Sequence, residues 1–314
     1  MKKHPVSESI TITDYEPVAP FQIKRALVGI ELGTTDATVL KYFDFLSKHI
    51  PIAAAHFVHI LPNYTELEAL FEKETQTLIG DYSFEKDRQE ELTTEVKAAL
   101  SKYKDMYVEY QLSRGNPLEE FLKAATATKA DLVVVGQRSH TDFHAILAKN
   151  LIRKTTCNTL IIPDQARDSL SKILVPIDFS PNSVRALQTA LSINRQMKQK
   201  VRIIALHIYE VPSVNLLGSS KSYGEYERII RGNIVDAFQA FLHTYAAEDQ
   251  NHIDIALKRK QDSDLGKYIH EYALEHKVDL MVAGAKGHSR VHLLLMGSTT
   301  EKLVSVNQNI ATLI

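Results

Sequence analysis

The chain sets 37 Lys and Arg against 38 Asp and Glu, a formal net charge of -1, so its totals leave no electrostatic footprint for nucleic acid. Its 314 residues, 44% of them hydrophobic, suffice for about two domains with ordinary cores. A single cysteine, Cys157, excludes an intrachain disulfide and a multi-cysteine metal site, and no run approaches the ~18 apolar residues that a membrane helix requires.

Met1-Lys2-Lys3-His4-Pro5 leads into polar and acidic residues rather than an apolar signal core, which makes the cytoplasm the expected location and a membrane an unexpected partner. Residues 1–21 read as an N-terminal arm, with Ile10, Ile12 and Tyr15 as candidate attachment points. Lys24 to Glu31 is the first predicted strand and Ala55 to Ile60 the second. The charged stretch Glu66 to Lys104 is expected to carry one or two surface helices. Asp131-Leu132-Val133-Val134-Val135-Gly136 and Thr159-Leu160-Ile161-Ile162 are two further strands, with Cys157 read as a small buried residue near the start of the latter. The polar stretch Pro163 to Ser169 then marks a boundary, giving domains at 22–165 and 166–314.

The second half repeats the first. Ser171 to Asp178 matches Lys24 to Glu31, Ile204 to Ile208 matches Ala55 to Ile60, and Thr312 to Ile314 matches Thr159 to Ile162. Asp279-Leu280-Met281-Val282-Ala283-Gly284 lies 148 residues beyond Asp131-Leu132-Val133-Val134-Val135-Gly136. After Ser180-Pro181-Asn182, which supplies N-cap and first-turn chemistry, Val184, Leu187, Ala190, Leu191 and Ile193 form one apolar helical stripe. Leu265, Tyr268, Ile269, Tyr272 and Ala273 form another. Strand and helix in alternation predict an α/β fold of two tandem doubly wound parallel sheets, Rossmann-like, with ligand sites at the carboxyl ends of the strands.

The halves differ after the Asp279 strand. Gly284-Ala285-Lys286-Gly287, nine residues and Gly297-Ser298-Thr299 have the layout of a phosphate-binding loop, and three of the chain's 12 glycines fall in this window. Glu301-Lys302-Leu303-Val304 is the expected helix behind it, whose N–H groups and dipole favour an anion. The first half lacks this layout. Its first strand ends in Glu31, Gly136 is followed by Gln137-Arg138-Ser139-His140, the stretch to Leu151 is shorter, and Ala148-Lys149-Asn150 stands near the place of Gly-Ser.

Ile173 to Ser180, the Leu206-His207-Ile208 strand and G-x2-G-x9-G-S/T, in that order, resemble the universal stress protein family. The first half is similar without the last signature, so the resemblance covers about residues 22–314 and is to tandem members. It implies an adenine-nucleotide-hydrolase-like fold with two domains about a pseudo-twofold, their last strands, Thr159 to Ile162 and Thr312 to Ile314, in contact as in a homodimer. It also implies that Pro176, Ile177 and Asp178 approach the adenosine, that Ile208 flanks the base, and that Gly284, Gly287, Gly297, Ser298 and Thr299 contact phosphate. Lys286 and His288 are candidates beside them. The expected ligand is ATP or another adenine nucleotide, with or without Mg²⁺, bound by the second domain alone as a regulatory ligand in the stress response. Unidentified protein partners and a further homodimer complete the expectation.

Among the 13 histidines, His288 and His292 could share a helix face, but no H-E-x-x-H motif or third ligand accompanies them, so no metal site is expected. His59 and His207 are equivalent in the repeat, which favours a scaffold role. There is no G-x-S-x-G elbow and no G-K-S/T ending to the loop, so no catalytic residue is assigned. Two alternatives stand beside regulation: slow Mg-dependent ATP hydrolysis or phosphotransfer through Asp178, and a non-nucleotide stress protein acting through its surface.

Overall fold

The computed structural model describes residues 20–33, 35–61, 90–94, 96–98, 106–138, 142–211, 223–260, 264–285 and 296–314. They fall into two compact units, one of Leu170–Leu303 with Phe21, the other of Gln22–Ser169 with Val304–Ile314. We call these the loop-bearing unit and the first-half unit. No helix among the described residues is long and apolar enough to cross a membrane.

The first-half unit runs β1 (Ile23–Gly29), α1 (Asp36–His49), β2 (Ile52–Leu61), β3 (Tyr107–Arg114), α2 (Pro117–Thr128), β4 (Leu132–Gln137), α3 (Asp142–Lys154) and β5 (Asn158–Pro163). Its strands lie in the order β3-β2-β1-β4-β5, all parallel. Parallel strands covered on both faces need apolar side chains on both faces, and Leu132, Val133 and Val134 are fully buried. Of the stretch Glu66 to Lys104, the described residues 90–94 and 96–98 are helical, with Leu92 and Val96 buried; the rest of it, and the arm with Ile10, Ile12 and Tyr15, lie outside the described residues.

The loop-bearing unit runs β6 (Lys172–Pro176), α4 (Pro181–Gln196), β7 (Arg202–Tyr209), α5 (Tyr223–Tyr245), β8 (Ile253–Arg259), α6 (Leu265–Glu275), β9 (Leu280–Val282) and the start of α7 (Ser298–Val306). Its parallel order is β9-β6-β7-β8. Ser180 caps α4, its Oγ accepting the Ser183 N–H at 3.2 Å, and the predicted stripe from Val184 to Ile193 is buried.

The last strand, β10 (Ala311–Leu313), belongs to the first-half unit. It pairs antiparallel with β5, Thr312 opposite Ile161 and Leu313 opposite Leu160, which covers that edge. This is the expected contact between Thr159–Ile162 and Thr312–Ile314. Its approach is held by Gln137, whose buried amide donates to the carbonyls of Val304 and Asn307 at 3.1 and 3.2 Å.

The repeat extends to features of no obvious hydrophobic value. Asp131 accepts the N–H groups of Lys24 and Arg25 at 3.0 and 3.1 Å, tying β4 to the start of β1. Asp279 does the same for β9 and β6, accepting from the N–H and hydroxyl of Ser171 and the N–H of Lys172 at 2.7 to 3.1 Å. Leu32 and Phe179, each one residue after the acid that ends the first strand of its half, share a left-handed backbone at φ of 57° and 60°. A bulky residue adopts that conformation only where its surroundings hold it. For Phe179 the ring supplies the hold, packing against His207, Phe238 and Phe241 with centroids 4.9 to 5.4 Å apart.

Cys157 precedes β5 and is half-buried rather than buried. Burial pushes its thiol pKa up, which disfavours the thiolate.

Candidate functional site

In the loop-bearing unit the carboxyl ends of β6, β7 and β9 and the first turn of α7 enclose a cavity of about 330 Å³. Pro176, Ile177 and Asp178 line it from β6, Ile208 from β7, Gly284 from beyond β9, and Gly297, Ser298 and Thr299 from the start of α7. Eight of the eleven residues named from sequence therefore share one hollow. Lys286, Gly287 and His288, and with them His292, lie outside the described residues.

The fold fixes these groups by ordinary means. Asp178 Oδ1 accepts the Ser180 N–H at 3.0 Å, an Asx turn that leads into α4. The carboxylate thus starts a helix and lines the cavity at once. His207 Nδ1 lies 2.7 Å from the Ile177 carbonyl oxygen, which can only accept, so Nδ1 carries the proton and the neutral ring offers Nε2 as an acceptor. Burial holds its pKa below the ordinary imidazole value, against that hydrogen bond and the charge of Asp178. His59 holds the Ile30 carbonyl in the same way at 2.8 Å, so in each half the ring ties the second strand to the segment after the first.

The two arms of the glycine loop are fastened together at its neck. Gly297 N–H donates to the Ala285 carbonyl at 2.8 Å, and Thr300 Oγ1 donates to the Gly284 carbonyl at 2.8 Å. Gly297 therefore closes the neck with its own N–H. At the cavity α7 presents the first-turn N–H groups of Ser298, Thr299 and Thr300, which precede any i−4 acceptor of the helix, and the hydroxyls of Ser298 and Thr299.

Gly284 owes its missing side chain to packing. A Cβ there would stand 2.8 to 3.0 Å from the Cβ, carbonyl carbon and oxygen of Asn182, in the first turn of α4. Its counterpart Gly136 faces the first turn of α1 in the same way, with Thr35 and Val39 at 3.2 and 3.0 Å.

Sequence reasoning missed the opposite wall. Leu265 and Ile269 of α6, with Leu206, Ala283 and Leu303, line the cavity with hydrocarbon. The predicted stripe on α6 treated Leu265 as core, yet it is only half-buried because it faces the hollow. Gly266 allows this approach. A Cβ there would lie 2.6 Å from the Leu303 nitrogen and 2.8 Å from the Thr299 oxygen, so α6 crosses α7 nearly backbone to backbone. A glycine two residues after Asp264, which caps α6 by accepting the Lys267 N–H at 3.0 Å, was the available signal.

The first-half unit departs from this plan where the sequence did. Ala148, Lys149 and Asn150 lie in the middle of α3 rather than in a loop standing in for Gly-Ser. Measured from the matched Leu151 and Leu303, α3 begins nine residues earlier and α7 only five, so α3 carries an extra helical turn in place of the neck.

A family comparison agrees with this duplicated plan. The universal stress protein family model matches twice, at residues 22–163 and 170–306. No curated protein matches the sequence. A universal stress protein from Archaeoglobus fulgidus DSM 4304 shares the fold at 15% identity, covering 92% of this chain and 94% of its own, with a TM-score of 0.58. A functionally unknown protein from Pseudomonas aeruginosa PAO1 does so at 16% identity, 93% and 92% coverage and a TM-score of 0.60. With both halves matched across nearly the whole described fold, the chain belongs to the universal stress protein family and carries two of its domains in tandem.

Proposed function

We propose that residues 166–314 bind one adenine nucleotide, ATP by preference, as a regulatory ligand, and that residues 22–165 bind none. One observation carries the reading: the strand-end carboxylate of Asp178, the base-flanking Ile208, the apolar wall of Leu265 and Ile269, and the donor-rich turn Ser298-Thr299 meet in a single cavity. A base packs on hydrocarbon, ribose hydroxyls donate to Asp178, and phosphate meets first-turn N–H groups at the positive end of α7. By family resemblance Gly287 adds to the phosphate contacts, and Lys286 and His288 are candidates beside it.

Among the described residues no three His, Cys, Asp or Glu side chains gather as a metal site. Asp178 is the carboxylate at this cavity, so Mg²⁺ would arrive with the nucleotide, held chiefly by phosphate oxygens. No step of catalysis is assigned. Occupancy changes the surface around the neck between Ala285 and Gly297, and that surface is what a protein partner reads. Denaturing the purified chain and separating the released small molecules tests the assignment. Close to one adenine nucleotide per chain supports it; no nucleotide, together with no heat on ATP titration, overturns it.

A further inference from the structure

The first-half unit has a cavity of its own, about 310 Å³, at the equivalent carboxyl ends of β1, β2 and β4. Its floor is apolar, built from Val58, Ile60, Phe121, Val135 and Leu147, and its polar groups converge from separate elements. The extra turn of α3 lowers His144 onto the site, where Nε2 meets Glu31 Oε1 at 2.5 Å. Arg138 meets Glu31 Oε2 at 3.0 Å while its Nε donates to Thr35 Oγ1 at 2.7 Å. Asp36 accepts the N–H groups of Glu31 and Gly33 at 3.1 and 2.9 Å. Asp36, Thr35, His59 and His144 are buried, while the side chains of Arg138 and Glu31 are 38% and 39% exposed, so the arrangement is built from below and open at Glu31.

We infer that this cavity binds a flat, uncharged ligand that carries N–H or O–H donors and no phosphate. The inference does not rest on nucleotide binding in the other unit. The polar complement decides the class. Glu31 and Asp36 are carboxylates, and His59, with Nδ1 donating to the Ile30 carbonyl, turns the acceptor face of its ring outward from that bond. A phosphate offers only acceptors; with Arg138 and His144 engaged by Glu31, it would meet the buried carboxylate of Asp36 in a half-desolvated hollow where like charges repel. A cation has less to gain, because the charge of Glu31 is already met by Arg138, with His144 hydrogen-bonded to its other oxygen. Burial raises the pKa of Glu31, yet the hydrogen bond and charge of His144 and the charge of Arg138 outweigh it and hold the group below its ordinary value, so it accepts throughout the neutral range. A planar molecule with amino or hydroxyl groups satisfies these acceptors and covers the apolar floor.

The chain has no tryptophan, so Ile60→Trp, on the half-buried wall of this cavity, gives a reporter confined to the first-half unit. Adenosine and ATP serve as probes because they differ only in phosphate. In the full chain, adenosine should change the emission of the introduced indole saturably, and ATP should need at least ten times the concentration. Equal response to the two probes overturns the ligand class. Equilibrium dialysis of radiolabelled adenosine guards against a reporter that blocks its own site: the Glu31→Ala chain should retain about one equivalent less than the parent. A silent reporter together with equal retention by parent and Glu31→Ala overturns the site. Failure of the nucleotide assignment is seen separately, as loss of ATP heat in the unaltered chain.

Discussion

The two cavities sit at the same place in two copies of one fold and share an acid and a histidine, yet the groups set beside that pair differ. The loop-bearing unit sets Ser298, Thr299 and the first turn of α7 beside Asp178 and His207, while the first-half unit sets Asp36, Thr35 and His144 beside Glu31 and His59. The strands, an acid after the first strand, the left-handed Leu32 and Phe179 and the carbonyl-holding histidines are common to both. What changed is the segment after the fourth strand of each half. One copy keeps a tied neck between Ala285 and Gly297; the other extends a helix by a turn and inserts His144. We propose that this change of connection is what gives the two copies of the scaffold different ligand chemistry.

Substitutions can erase this contrast or make it plainer. Gly297→Val should do most, because it puts a β-branched side chain at the neck: ATP affinity should fall at least ~100-fold, about 2.7 kcal/mol, with the thermal transition of the chain kept. Calorimetric titration checks it, and Gly297→Val combined with the Ile60→Trp reporter should still respond to adenosine. Next is Gly266→Ala. Its Cβ would sit 2.6 Å from backbone, so α6 must move off α7, costing about 2 kcal/mol of stability and displacing the Leu265 and Ile269 wall. Denaturant unfolding should show the loss, accompanied by a roughly tenfold weaker ATP titration if about 1.4 kcal/mol of it falls on the site.

The paired aspartates offer a control away from both cavities. Asp279→Ala removes an acceptor from three donors at a buried position and should destabilise by about 2 kcal/mol; Asp131→Ala, with two donors at a more exposed one, by about 1 kcal/mol. Denaturant midpoints would rank them, and neither should alter the ligand preference of its unit.

The pH dependence should show the weakest response. His207 has a folded pKa below its unfolded value, so the unfolded chain binds the proton more readily and stability should fall as pH drops below about 6.5, until the folded group itself titrates. Glu31 is lowered too, and for a carboxylate this means stability present above its unfolded pKa of about 4.3 and lost as pH falls through the folded value. The loop-bearing unit should therefore begin to weaken at the higher pH. His207→Gln should remove the step near 6.5 and leave the lower one, as read by thermal melts across about pH 3.5 to 7.5.

Much of this plan was legible in the sequence because it is written in short apolar runs and their spacing. Asp279-Leu280-Met281-Val282-Ala283-Gly284 and its counterpart 148 residues upstream announce the repeat, and Ser180-Pro181-Asn182 announces α4. The glycine loop and the strand-end acids located the cavity. The opposing wall was not legible, since Leu265 has the same periodicity whether it faces a core or a hollow, and only the crossing at Gly266 separates the two. Nor did Gly284 and Gly136 declare that they serve packing against helix starts. The shortened segment after Gly136 was visible as a deletion, but its consequence, a longer helix with His144 on Glu31, depends on a tertiary contact that no local pattern encodes.

The division between the two copies is tested at its root by calorimetric titration of ATP into nucleotide-free full-length chain, with Gly297→Val beside it. One site per chain that disappears in Gly297→Val is the expected result. Two sites per chain, or a single site that survives the substitution, would contradict a division of labour between the two copies.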